Sequence, residues 1–564
     1  APSRDDDQSF VCDNPNVATA ATIEPPQFDE PPDDVLAARA ADECAAAAAT
    51  CNPHYAPMPS PASSRALDVP KQPTTAKESP SAPKTDPDVP PQTPGAEPIT
   101  SSSWSDSGNA KLFAEIQEGQ LLYVRDMERW LLWDERRWTR ATDADLTGRA
   151  ICVAEVRLKS AKDLRVIPDD KASQKRRDDA LAFAKKCESS ARRKAILDLA
   201  IGEPQLAATS AELDQHPWLL SCANGVIDLR DGTLGPHDRA LKLTKATSVS
   251  YDERAKCPTW LRFLDDVFLS DGDLIGFVQR AIGYTLTGQT SEQKFFVCYE
   301  SGSNGKSTFL NVLRDLLGDY AGSIQFDTLA GGKRDPGAPA PDLAKLRGLR
   351  LVTSLEAEEG ARFGEALVKQ LTGSDPISAR DLHESPVTFV PTFKLWLAAN
   401  HKPVIRGTDR GIWRRPILIP FRATFSNDPV PRGQSEATFR SIDPHIGAKL
   451  SREMPGILNW AVEGAVAWRA MGLSDCAVTR EATDEYRREC DVVGLFLEQC
   501  CEQELGAFTP SQKLYDRYVE WATRNGEYVQ SNKRLTRTLV ERQIKHERRP
   551  EARGFLDLAL KPQD

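Results

Sequence analysis

The stretch from Gln293 to Leu310 constrains this chain more than any other. Phe295 to Tyr299 is an apolar, aromatic run and predicts a short buried strand. A turn of small residues follows, Gly302-Ser303-Asn304-Gly305, and then Lys306-Ser307-Thr308. Leu310, Leu313, Leu316 and Leu317 recur at helical spacing until Gly318. Strand, Gly-Lys-Ser turn and helix is the layout of a loop that cradles phosphates. Its glycines let successive backbone N–H groups turn inward, and the helix N-terminus adds its positive end. In such a loop Lys306 reaches the β- and γ-phosphates and the Ser307 hydroxyl holds Mg²⁺. Glu300 stands five residues before Gly305, where the usual spacing has a glycine. A carboxylate there is unfavourable beside a triphosphate unless it points away.

Composition bears on the rest of the chain. Residues 1–100 contain 19 of the 40 prolines, 16 acidic residues and 6 basic ones, a net charge of −10. That equals the charge of all 564 residues, so the remainder is balanced at 66 against 66. A Pro- and Ala-rich acidic segment with few aromatics predicts a disordered linker over 1–105. No run of 18 apolar residues exists, so no membrane span is expected. The first residues lack a secretion signal, and the first residue is Ala1, which fits a piece of a longer polypeptide. The 12 cysteines form no C-x-x-C pair and read as reduced, mostly buried thiols of a cytoplasmic protein.

Folded sequence is expected from about residue 106. Leu121 to Val124, Trp130 to Trp133 and Trp138 predict antiparallel strands with a Trp core. Residues 171–200 predict a basic helix, 224–234 a hairpin over Asp231-Gly232, and 258–287 a helix leading into the phosphate-loop strand.

Leu349 to Leu355 predicts a strand that ends in Glu356 and Glu358. ATP hydrolysis needs an acid on Mg²⁺ and a carboxylate that orients water, delivered by the strand next to the phosphate loop. The two glutamates suit those roles, in either order. Phe393 to Ala399 alternates towards Asn400, a polar amide at a strand tip that could sense the γ-phosphate. Arg414 and Arg415 precede the apolar strand Pro416 to Phe421 and could supply a finger.

Taken together, the run from about Asn109 to Phe421 resembles the superfamily 3 helicases of the phage/plasmid and large-DNA-virus primase–helicase family. The matching pieces are Asn-Gly-Lys-Ser-Thr (304–308), Glu-x-Glu-Glu-Gly (356–360), Lys-Gln-Leu-Thr-Gly-x-Asp-Pro-Ile (369–377), Ala-Arg (379–380), the run 391–403, Arg-Gly-Thr-Asp (406–409) and Ile-Trp-Arg-Arg (412–415). The resemblance implies an AAA+-like P-loop ATPase core in a hexameric ring that moves on single-stranded DNA with ATP and Mg²⁺. It implies that Lys306 and Ser307 are Walker A residues, that Glu356 and Glu358 are Walker B, with Glu356 on Mg²⁺, and that Asn400 is a sensor. Arg414 and Arg415 become finger candidates acting on a neighbour. Arg380 and His383 become DNA contacts of a channel hairpin, in which Glu384 occupies a position that is often basic.

Residues 426–506 read as a helical lid. Residues 507–564 read as helix, helix, hairpin, which is a winged helix. Residues 531–553 hold eight Lys/Arg and three Glu, a local +5 that includes Lys533, Arg534 and Arg537. The expected chain is therefore α/β: a linker (1–105), an α+β domain (106–255), the ATPase core (256–425), the lid (426–506) and a winged helix on duplex DNA (507–564). The expected function is an ATP-dependent replicative DNA helicase, with a primase domain or protein as a candidate partner. The alternative is an ATP-switched initiator or scaffold that unwinds poorly.

Overall fold

The computed structural model describes residues 104–300, 302–330, 339–355, 360–380, 386–407, 409–430 and 435–562. The expected linker over 1–105 lies outside them, except for its last two residues.

The first part opens on α1 (Asp106–Gln117), started by the Ser105 hydroxyl, which accepts from Gly108 N at 3.0 Å. Strands β1 (Leu121–Val124), β2 (Arg129–Trp133) and β3 (Trp138–Arg140) form an antiparallel ladder, and β4 (Ala207–Ala208) joins β1 in parallel. Trp138 is buried, and its indole N–H donates to the Arg239 carbonyl at 3.0 Å. Helix α2 (Asp143–Asp163) begins at a reciprocal Thr142/Asp145 cap. The single helix expected over 171–200 is two, α3 (Lys171–Cys187) and α4 (Ser190–Ala200). Ser189 ends one run and caps the next, accepting from Arg192 N. Strands β5 (Leu219–Cys222), β6 (Gly225–Asp228) and β7 (Thr233–Gly235) then meander, with Gly232 at φ +80 in the turn.

The helix expected over 258–287 is also divided. Helix α5 (Pro258–Val267) and α6 (Gly272–Leu286) flank Leu269 and Ser270, both at positive φ, and Asp271 caps α6 through Leu274 N. Strand β8 (Phe295–Tyr299) and helix α7 (Lys306–Leu317) follow. With β9 (Ala321–Ser323), β10 (Leu351–Leu355), β13 (Lys394–Ala399) and β14 (Pro416–Pro420), β8 builds a fully parallel sheet in the order β14-β8-β13-β10-β9. Strands β11 (Ile377–Ala379) and β12 (Val387–Phe389) form a separate antiparallel pair after helix α8 (Glu365–Leu371).

Both faces of the parallel sheet are buried, and the strands show why they read as continuous apolar runs. Phe296, Cys298, Trp396, Ala398, Ile417 and Ile419 face one core, with α5, α6, α7 and α9 (Met454–Met471). Phe295, Val297, Leu395, Leu397 and Leu418 face the other, with α8 and α10 (Ala477–Glu489). Helices α6 and α9 touch backbone to backbone. A Cβ added to Gly283 would lie 2.1 Å from Ala465 N, and one added to Gly464 would lie 2.2 Å from the Gln279 carbonyl.

The segment after β14 is not helical at its start. Strand β15 (Thr424–Phe425) pairs in parallel with β16 (Phe439–Arg440), with a single 3-10 turn (Glu436–Thr438) before β16, and among the described residues α-helix begins at Ile446. The chain ends in α11 (Val492–Cys500), β17 (Cys501–Glu502), β18 (Phe508–Pro510), α12 (Ser511–Arg524), α13 (Asn532–Glu541), β19 (His546–Arg548), β20 (Arg553–Leu556) and β21 (Ala559–Leu560). Phe496, Leu514, Tyr518, Leu535, Leu539 and Phe555 give this end its own core. Among the described residues every cysteine is free, and no helix is long and apolar enough to cross a membrane.

Candidate nucleotide site

Gly302 and Gly305 adopt φ +96 and +82, the left-handed backbone that lets the loop double back from β8 into α7. Gly305 is also packed closely: a Cβ there would meet Val267 at 3.1 Å and the Phe263 ring at 3.4 Å. Trp260, Phe309 and Trp396 continue this contact as a chain of rings 5.8 Å apart, fixing α7 between α5 and β13. The loop is tied on its other side as well. Phe425 N donates to the Ser303 carbonyl at 2.7 Å, and the Asn304 amide donates to the Ala423 carbonyl at 2.7 Å.

Lys306 is the first residue of α7 and is buried. Its ammonium donates to the Glu300 carbonyl and to Asn304 Oδ1, the latter at 3.3 Å. Burial pushes its pKa below the ordinary lysine value, while Cys298 and Glu300 act against that shift. Gly302, Ser303, Asn304, Gly305, Lys306, Ser307 and Thr308 all line one cavity of about 1370 Å³. Asn400, one residue beyond β13, stands in the same wall.

Sequence reading missed much of that wall. Arg262, Phe263 and Asp266 come from α5, Thr353 from β10, and Ile442, Asp443, Ile446 and Lys449 from beyond the sheet. Arg440 ties that last segment to Asp266 at 3.2 Å. No local pattern marks these positions, because each reaches the cavity only through the tertiary fold.

One expectation needs correction. The strand bearing the expected carboxylates, β10, is not the neighbour of β8. Strand β13 lies between them, pairing Trp396 with Phe296 and Thr353 with Trp396. All six β13 residues are buried, which suits a central strand, whereas strand order is non-local and has no signature within one strand. Glu356 and Glu358 themselves lie outside the described residues. So do His383 and Glu384; Arg380 directly follows β11, and its carbonyl accepts from Ala340 N at 2.8 Å.

The arginine pair is divided by its surroundings. Arg415 is buried, donating to Thr372 Oγ1 at 3.0 Å and to the Gly411 carbonyl. Arg414 is exposed and reaches Gln293. Asp409 pairs with Lys369 at 2.9 Å and caps Ile412 N, and acts on Arg415 through its charge. Pro416 pairs with Phe295, so both arginines stand at the start of β14, while the phosphate loop follows the far end of β8. A five-residue strand, at about 3.3 Å per residue, separates them. At the C-terminal end, Lys533, Arg534 and Arg537 are exposed on α13.

Family patterns match along most of the folded part. Residues 110–269 match the pattern described as D5 N terminal like, and 488–546 match the one described as Poxvirus D5 protein-like. Residues 299–415, which hold the phosphate loop, match a family of unknown function (DUF5906). The chain is 27% identical over 327 residues to "Putative helicase L207/L206" of Acanthamoeba polyphaga mimivirus, covering 56% of this chain and 34% of that one. It is 21% identical over 340 residues to "Putative primase C962R" of African swine fever virus, covering 56% and 34%. The matches support a likeness to the D5-like primase–helicases of large DNA viruses. The chain spans about a third of the length of the curated relatives it matches. It also aligns with the apo structure of the NrS-1 C terminal region at TM-score 0.40 and 9% identity, covering 80% of this chain and 99% of that one, too distant to carry any functional weight.

Proposed function

We propose that this chain is the ATP-driven motor part of a DNA-replication primase–helicase of the superfamily 3 type, with an AAA+-like P-loop core and a C-terminal winged helix. The observation that carries the reading is the juxtaposition at the sheet's C-terminal edge. Lys306 at the base of α7, the glycine turn before it and Asn400 from the adjacent strand β13 share one cavity.

The donor set suits a nucleoside triphosphate with Mg²⁺. Backbone N–H groups of 302–308 and the Lys306 ammonium would hold the phosphates. The Ser307 hydroxyl and Glu356 would hold Mg²⁺, which commonly takes one or two protein ligands and completes its shell with phosphate oxygens and waters. The bound metal would neutralise charge developing on the transferred phosphoryl group. Glu358 would orient the attacking water and Asn400 would feel the γ-phosphate. In their resting contacts, the Glu300 carbonyl and Asn304 keep the Lys306 ammonium in the cavity wall, ready to exchange them for phosphate oxygens.

Both arginines lie at the opposite end of the sheet from their own loop, so a finger from this pair would serve the site of a neighbouring copy in a ring. Arg414 is the better candidate because Arg415 is committed to Thr372 and Gly411. Lys533, Arg534 and Arg537 would give α13 a positive face for DNA phosphates.

The test is strand displacement on forked DNA. ATP-dependent unwinding is expected. ATP binding without displacement, under conditions where the chain assembles, would leave the nucleotide-switched initiator in its place.

A further inference from the structure

A second cleft, of about 410 Å³, lies away from the nucleotide cavity, between the loop after β13 and helix α13. Four arginines line it: Arg362 and Arg406 from the core, and Arg534 and Arg537 from α13, three residues apart and so on one helix face. The core side is braced. Arg362 bridges Val404, Val404 N donates to the Ala361 carbonyl at 2.8 Å, and Phe363 N donates to the Val404 carbonyl at 3.2 Å. The guanidinium of Arg406 lies 4.3 Å over the Tyr528 ring, and Tyr528 is held by its carbonyl, which accepts from the Tyr518 hydroxyl at 3.0 Å.

The carboxylates of the cleft are mostly engaged elsewhere. Asp409 pairs with Lys369 and Asp491 with Arg542, both partners outside the lining, while Glu541 pairs with Arg537 within the cleft at 3.6 Å and leaves Arg362, Arg406 and Arg534 as the clamp. Glu527 is the remaining acid of the described lining. Among the described residues no acid acts on Arg406: burial and the guanidiniums of Arg362 and Arg534 lower its pKa, and Tyr528 opposes them. The residue is half-buried, yet its Nη2 is closed off from solvent and has no hydrogen-bond partner among the described residues. A buried guanidinium N–H without an acceptor is costly, and so is the convergence of like charges. An oxyanion would relieve both at once.

We infer that this cleft binds a phosphate group, clamped between Arg362 and Arg406 of the core and Arg534 of the C-terminal part. Its volume lies within the range of small-molecule sites and gives room for a nucleotide unit around the phosphate. The Arg406–Tyr528 stack adds the aromatic and cationic surface that single strands use. The phosphate could belong to a nucleic-acid backbone or be free in solution. For the backbone source the inference rests on the DNA-binding reading above, and it adds that DNA touches core and C-terminal part together.

The experiment uses the full chain, with an oligothymidylate and inorganic phosphate as probes. Arg406→Gln and Arg362→Gln are each expected to weaken oligothymidylate binding by about tenfold, the worth of one charged hydrogen-bonded contact. The slope of log K against log salt should fall by about 0.7 for each phosphate that is no longer neutralised. Arg406→Lys should recover part of the affinity, since the charge stays and the planar fork goes. Lys533→Gln, outside the cleft, reports on DNA binding as a whole. If the free ion is the ligand, millimolar phosphate should raise the melting temperature of a Lys306→Ala protein and fail to do so once Arg406→Gln is added. Should Arg406→Gln not fold, Arg362→Gln decides both arms. A protein that binds no DNA would defeat the DNA-binding reading and leave the phosphate arm to decide the cleft. Unchanged oligothymidylate affinity together with no Arg-dependent phosphate stabilisation would overturn the inference.

Discussion

Lys306 has two acceptors and a buried stem, so its removal has a structural and a chemical consequence that differ in size. Lys306→Ala should cost about 1 kcal/mol of stability from the missing hydrogen bonds, while ATP turnover is abolished. A urea midpoint and a phosphate-release assay on the same preparation check both. Arg414 and Arg415 separate in the opposite way. Arg415→Ala should destabilise by about 1–3 kcal/mol, because it strips partners from buried Thr372 and Gly411. Arg414→Ala should stay within about 0.5 kcal/mol, and mixing it with Lys306→Ala subunits should restore some turnover, each supplying what its neighbour lacks. No restoration in proven co-assemblies would count against a finger between copies. At this scale the sequence was legible wherever chemistry is local, as in the run from Gly302 to Thr308. It was illegible for Arg406 and Arg262, whose surroundings come from distant segments.

Elements were legible where periodicity was long, and less so where two elements met. Strand β8 and helix α7 follow from their apolar pattern. The breaks after α3 and after α5 do not, because Ser189 and the Leu269-Ser270 pair carry no Gly or Pro signal, only a cap and two positive φ angles. The backbone contact of α6 with α9 was equally hidden, since a glycine inside a helix reads as a weak spot until its neighbour is known. Gly283→Ala should cost at least about 1–3 kcal/mol, the usual penalty of overpacking, against Ala465 backbone that cannot move aside. Gly447→Ala, with nothing within 4 Å, should be neutral or stabilising in the same urea titration. Lys394 at the start of β13 gives a pH signature. Fully buried, with Thr287, Gln289 and Thr392 carbonyls as acceptors, its pKa lies well below 10.5 through burial and then through Arg350. The unfolded chain therefore binds more protons than the folded one in the window below 10.5, so stability rises with pH there. Lys394→Met should remove that rise in unfolding free energies measured across alkaline pH; an unchanged slope would contradict it.

Across the whole molecule, the folded part is joined by polar ties as well as by apolar cores. Arg350, fully buried at the start of β10, donates to the Leu286, His216 and Leu219 carbonyls and lies 4.6 Å over the Tyr320 ring. It fastens the β5–β7 meander to the parallel sheet. The charge distribution along the sequence anticipated the basic C-terminal end but not that Arg534 and Arg537 look towards the core. The proposed function requires that this chain turn over ATP at the Lys306 loop. The most direct measurement is the steady-state ATP hydrolysis rate of the full chain, with and without single-stranded DNA, beside Lys306→Ala. Turnover that rises with DNA and vanishes in the variant is expected. Turnover that persists in Lys306→Ala, or a wild-type protein that hydrolyses no ATP in either condition, would contradict the account.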